Sequence, residues 1–344
     1  MNIAGVIAEF NPFHNGHVQL LTAVRKFADL TVVAMSGNFV QRGDIAVYPK
    51  ALRAKAAVDS GLADLVLELP AAVSLSSAQG FARGAVELLQ SLEVITHLAF
   101  GSESGDLSEL RELISYQRDE RFDASIRETL KGGVSYPSAR QNVLERIAEK
   151  QLPQLREANN ILALEYLQAL EGSAIEPLTF KRPADSVSAT RLRELLRSGA
   201  DVSDFVPFTA RRVTDNTSPL FAEDAEFAIL ATLKAKPREF FDLLTDATEG
   251  LGRRLFHAVQ SVNTLQELYT EVKTKRYTLS RIRRMTYRAW LGITSEPSAP
   301  APYVTVLAAN KRGRELKCAL PLKNAGADDF HKFIAACKTA RNVI

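Results

Sequence analysis

His14 and His17 stand three residues apart with Gly16 between them, inside the stretch Ile7, Ala8, Glu9, Phe10, Asn11, Pro12, Phe13, His14, Asn15, Gly16, His17. Such a pair fits a catalytic loop, a metal site or a structural turn. Zinc would need further ligands, and neither a Cys nor a third nearby His supplies them. An imidazole N–H set on a phosphate stabilises the charge that builds when an α-phosphate is attacked and pyrophosphate leaves. Gly16 lets a base or phosphate approach the backbone closely.

The elements around the pair favour the phosphate reading. Residues 3–8, "IAGVIA", read as a buried strand, and 17–28 as the helix after it. The pair therefore lies at a strand's carboxyl end and a helix's amino end. Ligands bind there in open α/β sheets, and free backbone N–H groups there suit phosphate. Strand-like runs follow at 30–35, 64–69, 95–101 and 175–180, alternating with helical patterns at 50–61, 77–92 and 188–199. Apolar strands alternating with helices predict an α/β fold, a doubly wound parallel sheet covered on both faces. After residue 200 the pattern is mainly helical to about 292. A Pro-rich break follows at 294–303, then a strand-like run at 303–309 and a terminal helix. The expected division is 1–200 as a catalytic domain and 201–344 as a basic, mainly helical domain.

The 344 residues are 46% hydrophobic, enough for more than one core. No apolar run reaches the ~18 residues that span a bilayer, and the start lacks a signal peptide's basic residues and cleavage site. Cys318 and Cys337 are too few for a disulfide framework, so a reducing cytoplasm is the expected location, with no membrane partner. The net charge is +3, but its distribution is uneven. Residues 1–100 carry seven Lys/Arg against eight Asp/Glu, whereas 251–344 carry seventeen against six. Within 273–288, "KTKRYTLSRIRRMTYR", there are seven Lys/Arg and no acid, interleaved with Tyr277 and Tyr287. On a helix these charges predict a broad basic surface for RNA phosphates.

Blocks along the chain carry a closer resemblance. "HNGH" (14–17) is similar to the HxGH signature of HIGH-type nucleotidyltransferases. In order come "GVIAEFNPFHNGH" (5–17), "SGNFVQRGD" (36–44), "ADLVLELP" (63–70), "LAFGSE" (98–103), "GGVSYPSAR" (132–140), "NNILALEYLQAL" (159–170) and "SATRLR" (188–193). Together with "KRYTLSRIRR" (275–284) and "PYVTVLAANKRGREL" (302–316), they resemble the bacterial tRNA(Met) cytidine acetate ligase family. The resemblance implies a Rossmann-like nucleotidyltransferase fold and a ligase using ATP, with Mg²⁺ expected alongside it. Acetate would attack ATP to give acetyl-adenylate, and the acetyl group would pass to N4 of the wobble cytidine of elongator tRNA(Met).

The resemblance also implies site residues. His14 and His17 would be catalytic. Residues Ile7 to His17, Gly101, Asn159 or Asn160, and Arg182 would bind ATP. Ser188 and Thr190, at a helix start, and Arg193 would meet its phosphates. Lys275, Arg276, Arg281, Arg283 and Arg284 would bind RNA. Tyr136 and Arg140 are a candidate pair for a splayed base, with core packing as the competing reading. Arg42, in the loop between Gly37 and Gly43, fits either an anion contact or a structural salt bridge. The stretch before Ser188, "RPADSVSAT", is shorter than the Tyr-His-Asp element of similar proteins. Two other functions stay open: a small-molecule adenylyltransferase, which leaves the basic C-terminus idle, and an RNA-binding protein with a vestigial nucleotide site.

Overall fold

The computed structural model describes residues 1–182, 187–295 and 304–319. Strands β1 (Ile3–Ala8), β2 (Leu30–Ser36), β3 (Phe39–Val40), β4 (Asp44–Ile45), β5 (Leu65–Leu69), β6 (His97–Ser102), β7 (Glu176–Lys181) and β8 (Val306–Ala309) form two sheets. The main sheet runs β7-β6-β1-β2-β5-β8, parallel throughout except for β8, and β3–β4 is a separate hairpin. The chain order reverses at β1, which pairs with β2 on one side and β6 on the other. A crevice opens at such a reversal beyond the strands' carboxyl ends.

The strands are apolar on both faces because both faces are covered. Along β2, Val32 and Ala34 enter one core while Val33 and Met35 enter the other. Successive side chains alternate across the sheet, so a continuous apolar run fills both layers. On the first face lie α4 (Ala78–Gln90), α5 (Leu107–Gln117), α6 (Phe122–Lys131), α7 (Tyr136–Ile147) and α8 (Ala158–Ala169). The second face carries α1 (Asn15–Arg25), α2 (Lys50–Asp59) and α10 (Phe208–Thr214). The short α3 (Ala71–Ser74) and α9 (Ala189–Arg197) flank the sheet's carboxyl edge.

A second core is helical. It is built by α11 (Glu226–Lys234), α12 (Arg238–Asp242), α13 (Leu251–Ser261), α14 (Leu265–Val272) and α15 (Leu279–Leu291), joined by Leu75. The boundary expected at residue 200 falls between α9 and α10. Val206 and Ala210 belong to the core under α1 and α2. Residues 304–319 return to the sheet: β8 pairs antiparallel with β5, and α16 (Lys311–Ala319) packs beside them. Buried Asp64 fastens this return, accepting from Asn310 Nδ2 at 2.9 Å and from Arg25 Nη1 at 2.6 Å. The expected strand at 303–309 is thus part of the first unit's sheet. The expected Pro-rich break lies mostly outside the described residues, as does the chain after α16. Among the described residues, no helix is long and apolar enough to cross a membrane.

Candidate active site

His14 is the N-cap of α1, and its Nδ1 accepts from the Gly16 N–H at 3.0 Å. His17 answers in kind: its Nδ1 accepts from the His14 N–H at 3.2 Å. This reciprocal capping box satisfies two helix-end donors with imidazoles rather than with the usual Ser and Glu. It also fixes both tautomers. With each Nδ1 accepting, the single proton of each neutral ring sits on Nε2. Neither Nε2 has a hydrogen-bond partner among the described residues. The two ring centroids are 3.8 Å apart.

Both rings are neutral at ordinary pH. Burial, then the charges of Arg182 and Arg193, hold His14 down to about 4. Burial, then His14 and Arg182, hold His17 well below the usual imidazole range. Two N–H donors at a helix amino end, beside two guanidinium groups, make a socket for phosphate oxygens.

The surrounding loop is shaped by packing. Phe10 and Phe13 are buried core residues, and their rings meet edge-on at 4.9 Å. His17 packs against both. Buried Arg53 donates to the carbonyls of Glu9, Ser36, Gly37 and Tyr48, clamping the carboxyl ends of β1 and β2 together. Asn11 accepts from the Val47 N–H at 2.8 Å, and Asn15 Nδ2 donates to the Asp204 carbonyl at 2.9 Å. Of the expected loop residues, then, Phe10, Asn11, Pro12 and Phe13 have buried side chains, and Asn15 faces outward.

The other expected residues fall in two groups. Gly101 and Arg182 lie side by side at the ends of β6 and β7, where a Cβ on Gly101 would stand 3.2 Å from Arg182 Cγ. Arg193, half-buried on α9, donates to the Asn11 carbonyl at 3.0 Å and to Thr190 Oγ1 at 3.1 Å. Ser188 caps α9 by accepting from the Arg191 N–H at 3.1 Å. The histidines, Gly101, Arg182 and Arg193 therefore converge on the carboxyl ends of β1, β6 and β7.

Asn160 does not face that crevice. It is 0% exposed, its carbonyl oxygen accepts from the Glu103 and Ser104 N–H groups, and its amide donates to Glu157. Its role is to hold the turn after β6. The Glu103 carboxylate returns the contact, accepting from Asn159 Nδ2 at 2.6 Å and from the Asn160 N–H at 2.8 Å. Glu103 thus occupies the amino end of α8. Sequence reasoning missed it, although it sits in "LAFGSE", directly after the Gly101 strand. The shortened stretch before Ser188 lies largely outside the described residues.

The basic helix corrects another expectation. α15 packs in the helical core, with Ile282, Met285 and Tyr287 buried, and of its arginines Arg284 and Arg288 are buried and Arg281 and Arg283 partly so. Arg281 donates to Thr248 Oγ1 at 2.6 Å and to the Asp246 carbonyl, and it pairs with Glu249 at 2.9 Å. Arg284 is 7% exposed, with the Asp246 carboxylate 3.8 Å away. Buried Arg288 donates to Thr245 Oγ1 and the Ser295 carbonyl. These arginines brace residues 245–249 and do not form a broad basic face. Lys275 is exposed, and Arg276 and Arg283 are partly so. The members of the candidate stacking pair differ in exposure. Arg140 is 8% exposed in an ion pair with Glu165 at 2.6 Å, while Tyr136 is 53% exposed.

Comparison with known families matches residues 1–321 to the HIGH nucleotidyl transferases. A tRNA(Met) cytidine acetate ligase of Syntrophomonas wolfei is 39% identical over 311 residues, covering 83% of this chain and 74% of that protein. The tRNA(Met) cytidine acetate ligase of Thermosipho africanus is 35% identical over 313 residues, covering 84% and 74%. Among solved structures, Thermotoga maritima TmcAL bound with alpha-thio ATP superposes with a TM-score of 0.85 at 33% identity, covering 93% of this chain and 83% of that one.

Proposed function

The chain belongs to the HIGH nucleotidyl transferases, among the tRNA(Met) cytidine acetate ligases, and on that premise we propose that it joins acetate to the wobble cytidine of elongator tRNA(Met) at the expense of ATP. An acetate oxygen attacks the α-phosphorus, the bond to the β-phosphate breaks, and pyrophosphate leaves. The cytidine N4 then attacks the acetyl carbon of the adenylate. The bond to AMP breaks, and the amine loses one proton. Acetate itself is inert to the amine, because its oxygen leaves only once it is esterified to phosphate.

One observation carries the reading: the neutral His14–His17 pair, each ring with its proton on Nε2, at the amino end of α1. Donors that are neutral and fixed in place favour the extra charge of the transition state without a proton changing hands. Arg182 and Arg193 would meet the triphosphate, and the bare Gly101 would leave room for the adenosine. Mg²⁺ would arrive with ATP. Among the described residues no group of three or more His, Cys, Asp or Glu is placed to hold a metal ion, so phosphate oxygens and water would supply most of its ligands. ATP in millimolar supply and unmodified tRNA make the cytoplasm the fitting compartment.

The test is mass spectrometry of the wobble nucleoside after incubation with ATP, isotopically labelled acetate and unmodified tRNA(Met). A labelled acetylcytidine that requires ATP supports the reading. Label that enters only from acetyl-CoA, or no label from either donor, overturns it.

A further inference from the structure

With Arg281, Arg284 and Arg288 bound up inside the helical unit, the cations that hold RNA near the reacting centre lie elsewhere. The β3–β4 hairpin carries one. Arg42 at its tip is exposed and makes no hydrogen bond or salt bridge among the described residues.

The hairpin is fixed at both ends. On the side of the sheet, the Gln41 N–H donates to Glu9 Oε1 at 2.7 Å, directly beside the histidine loop. On the side of the helical unit, Gly43 has φ +73°, and a Cβ there would lie 2.5 Å from the Arg284 nitrogen. Phe39 adds ring contacts to Tyr287 and Trp290. Arg42 is therefore a pre-placed cation between the two cores, and little backbone freedom is lost when it binds.

Its surroundings mix arginines with buried or paired carboxylates. Glu9 is faced by Arg193, Arg42 and Arg53, and Asp44 by Arg283 and Arg193. Glu223 adds a third carboxylate beside Asp44 and is itself paired with Arg197 at 3.1 Å. Arg53 is spent on carbonyls, and Arg193 holds the histidine loop through Asn11. Of the four arginines, Arg42 is the exposed one, open to a phosphate from solvent. A nucleotide at the His14–His17 end already meets Arg182, Arg193 and the α1 N–H groups. Arg42 stands beyond Glu9, towards the helical unit.

We propose that Arg42 grips a backbone phosphate of the RNA substrate beside the target cytidine and so positions that nucleotide for acetyl transfer. The proposal rests on the acetate-ligase reading above and adds to it a residue on the acceptor side. A splayed base reaches an active site only if its flanking phosphates are held, and Arg suits that role through its two-pronged donor geometry.

The test uses Arg42→Gln and Arg42→Lys in the full chain, with three measurements. Acetate-dependent exchange of labelled pyrophosphate into ATP reports the first step alone. For Arg42→Gln it is expected to stay within about twofold of wild type. Steady-state transfer is expected to show an approximately tenfold higher KM for unmodified tRNA(Met), the scale of one charge-assisted phosphate bond. Titration of tRNA across salt concentrations is expected to give a log–log slope shallower by about 0.7 to 0.9, one phosphate's worth. Arg42→Lys is expected to restore the slope and part of the KM. Exchange that falls in step with transfer would assign Arg42 to ATP and overturn the proposal. Unchanged tRNA affinity and salt slope would overturn it too. A wild-type protein without acetate-dependent exchange would sink the acetate-ligase reading instead, and the tRNA titration alone would still decide Arg42.

Discussion

The capped histidine pair has a consequence for acid stability that can be worked out in numbers. In the unfolded chain His14 takes up a proton near its ordinary value of 6.5, whereas in the fold it does so only near about 4. Between those values the unfolded state binds the extra proton, so stability is complete above 6.5 and is lost as pH falls towards 4. This one group should cost the fold on the order of 1–3 kcal/mol as pH falls from 7.5 to 4.5. His17, depressed for the same reason, acts in the same direction. The perturbation is His14→Asn. Asn is a good N-cap, keeps an acceptor for the Gly16 N–H, and has no titrating ring. At pH 7.5 the variant should lie within about 1 kcal/mol of wild type in urea unfolding. At pH 4.5 the gap should close or reverse, because the variant escapes the His14 penalty. Its acetate-dependent exchange should fall roughly 10²- to 10³-fold, the scale of losing one transition-state donor. Equal acid sensitivity in the two proteins would refute the buried neutral ring. So would a wild-type exchange rate that falls above pH 7 as an imidazolium is lost.

Three further outcomes test the packing. Arg281→Ala should lower unfolding stability by about 1–3 kcal/mol, since residues 246–249 lose a half-buried brace, yet leave the salt slope of tRNA binding unchanged; a shallower slope would place that charge on RNA after all. Gly43→Ala should cost about 1–3 kcal/mol in thermal unfolding because of its positive φ and the close Arg284 backbone, and a neutral result would mean that the hairpin is not wedged on α15. Asn160→Ala should destabilise by about 1–3 kcal/mol by leaving the Glu103 and Ser104 N–H groups without an acceptor. Its loss of ATP affinity should track that destabilisation across temperature; a fall in affinity with stability untouched would return Asn160 to direct contact.

Features written locally were legible in the sequence. The strand "IAGVIA" and the run from Val32 to Met35 are apolar at every position because helices cover both faces, and that continuity told a sheet covered on both faces from one covered on a single face. The histidine loop was legible from its place between β1 and α1. What was hidden depends on partners far along the chain. Nothing near Val306 says that β8 pairs with β5, some two hundred and forty residues earlier, and runs against it. A count of positive charge on α15 cannot tell which arginines turn inward. The spacing of Ile282 and Met285 marked one buried stripe, but the second, closed by residues 245–249, comes from another loop. Glu103 escaped notice because a single carboxylate after a strand carries no signal until the helix it caps is placed beside it.

The return of the chain to β5 changes how the helical unit can move. A module attached at the end of a chain can swing and twist about a single tether. This one leaves the sheet after α10 and is followed by a strand stitched back into the same sheet, with Asp64 as the fastening. Two anchor points define an axis, much as two hinges hang a door. Rotation about that line is opposed by ties away from it, Leu75 in the helical core and Arg288 on the Ala72 carbonyl, and the β3–β4 hairpin, touching both cores, would pass any such rotation on to the histidine loop.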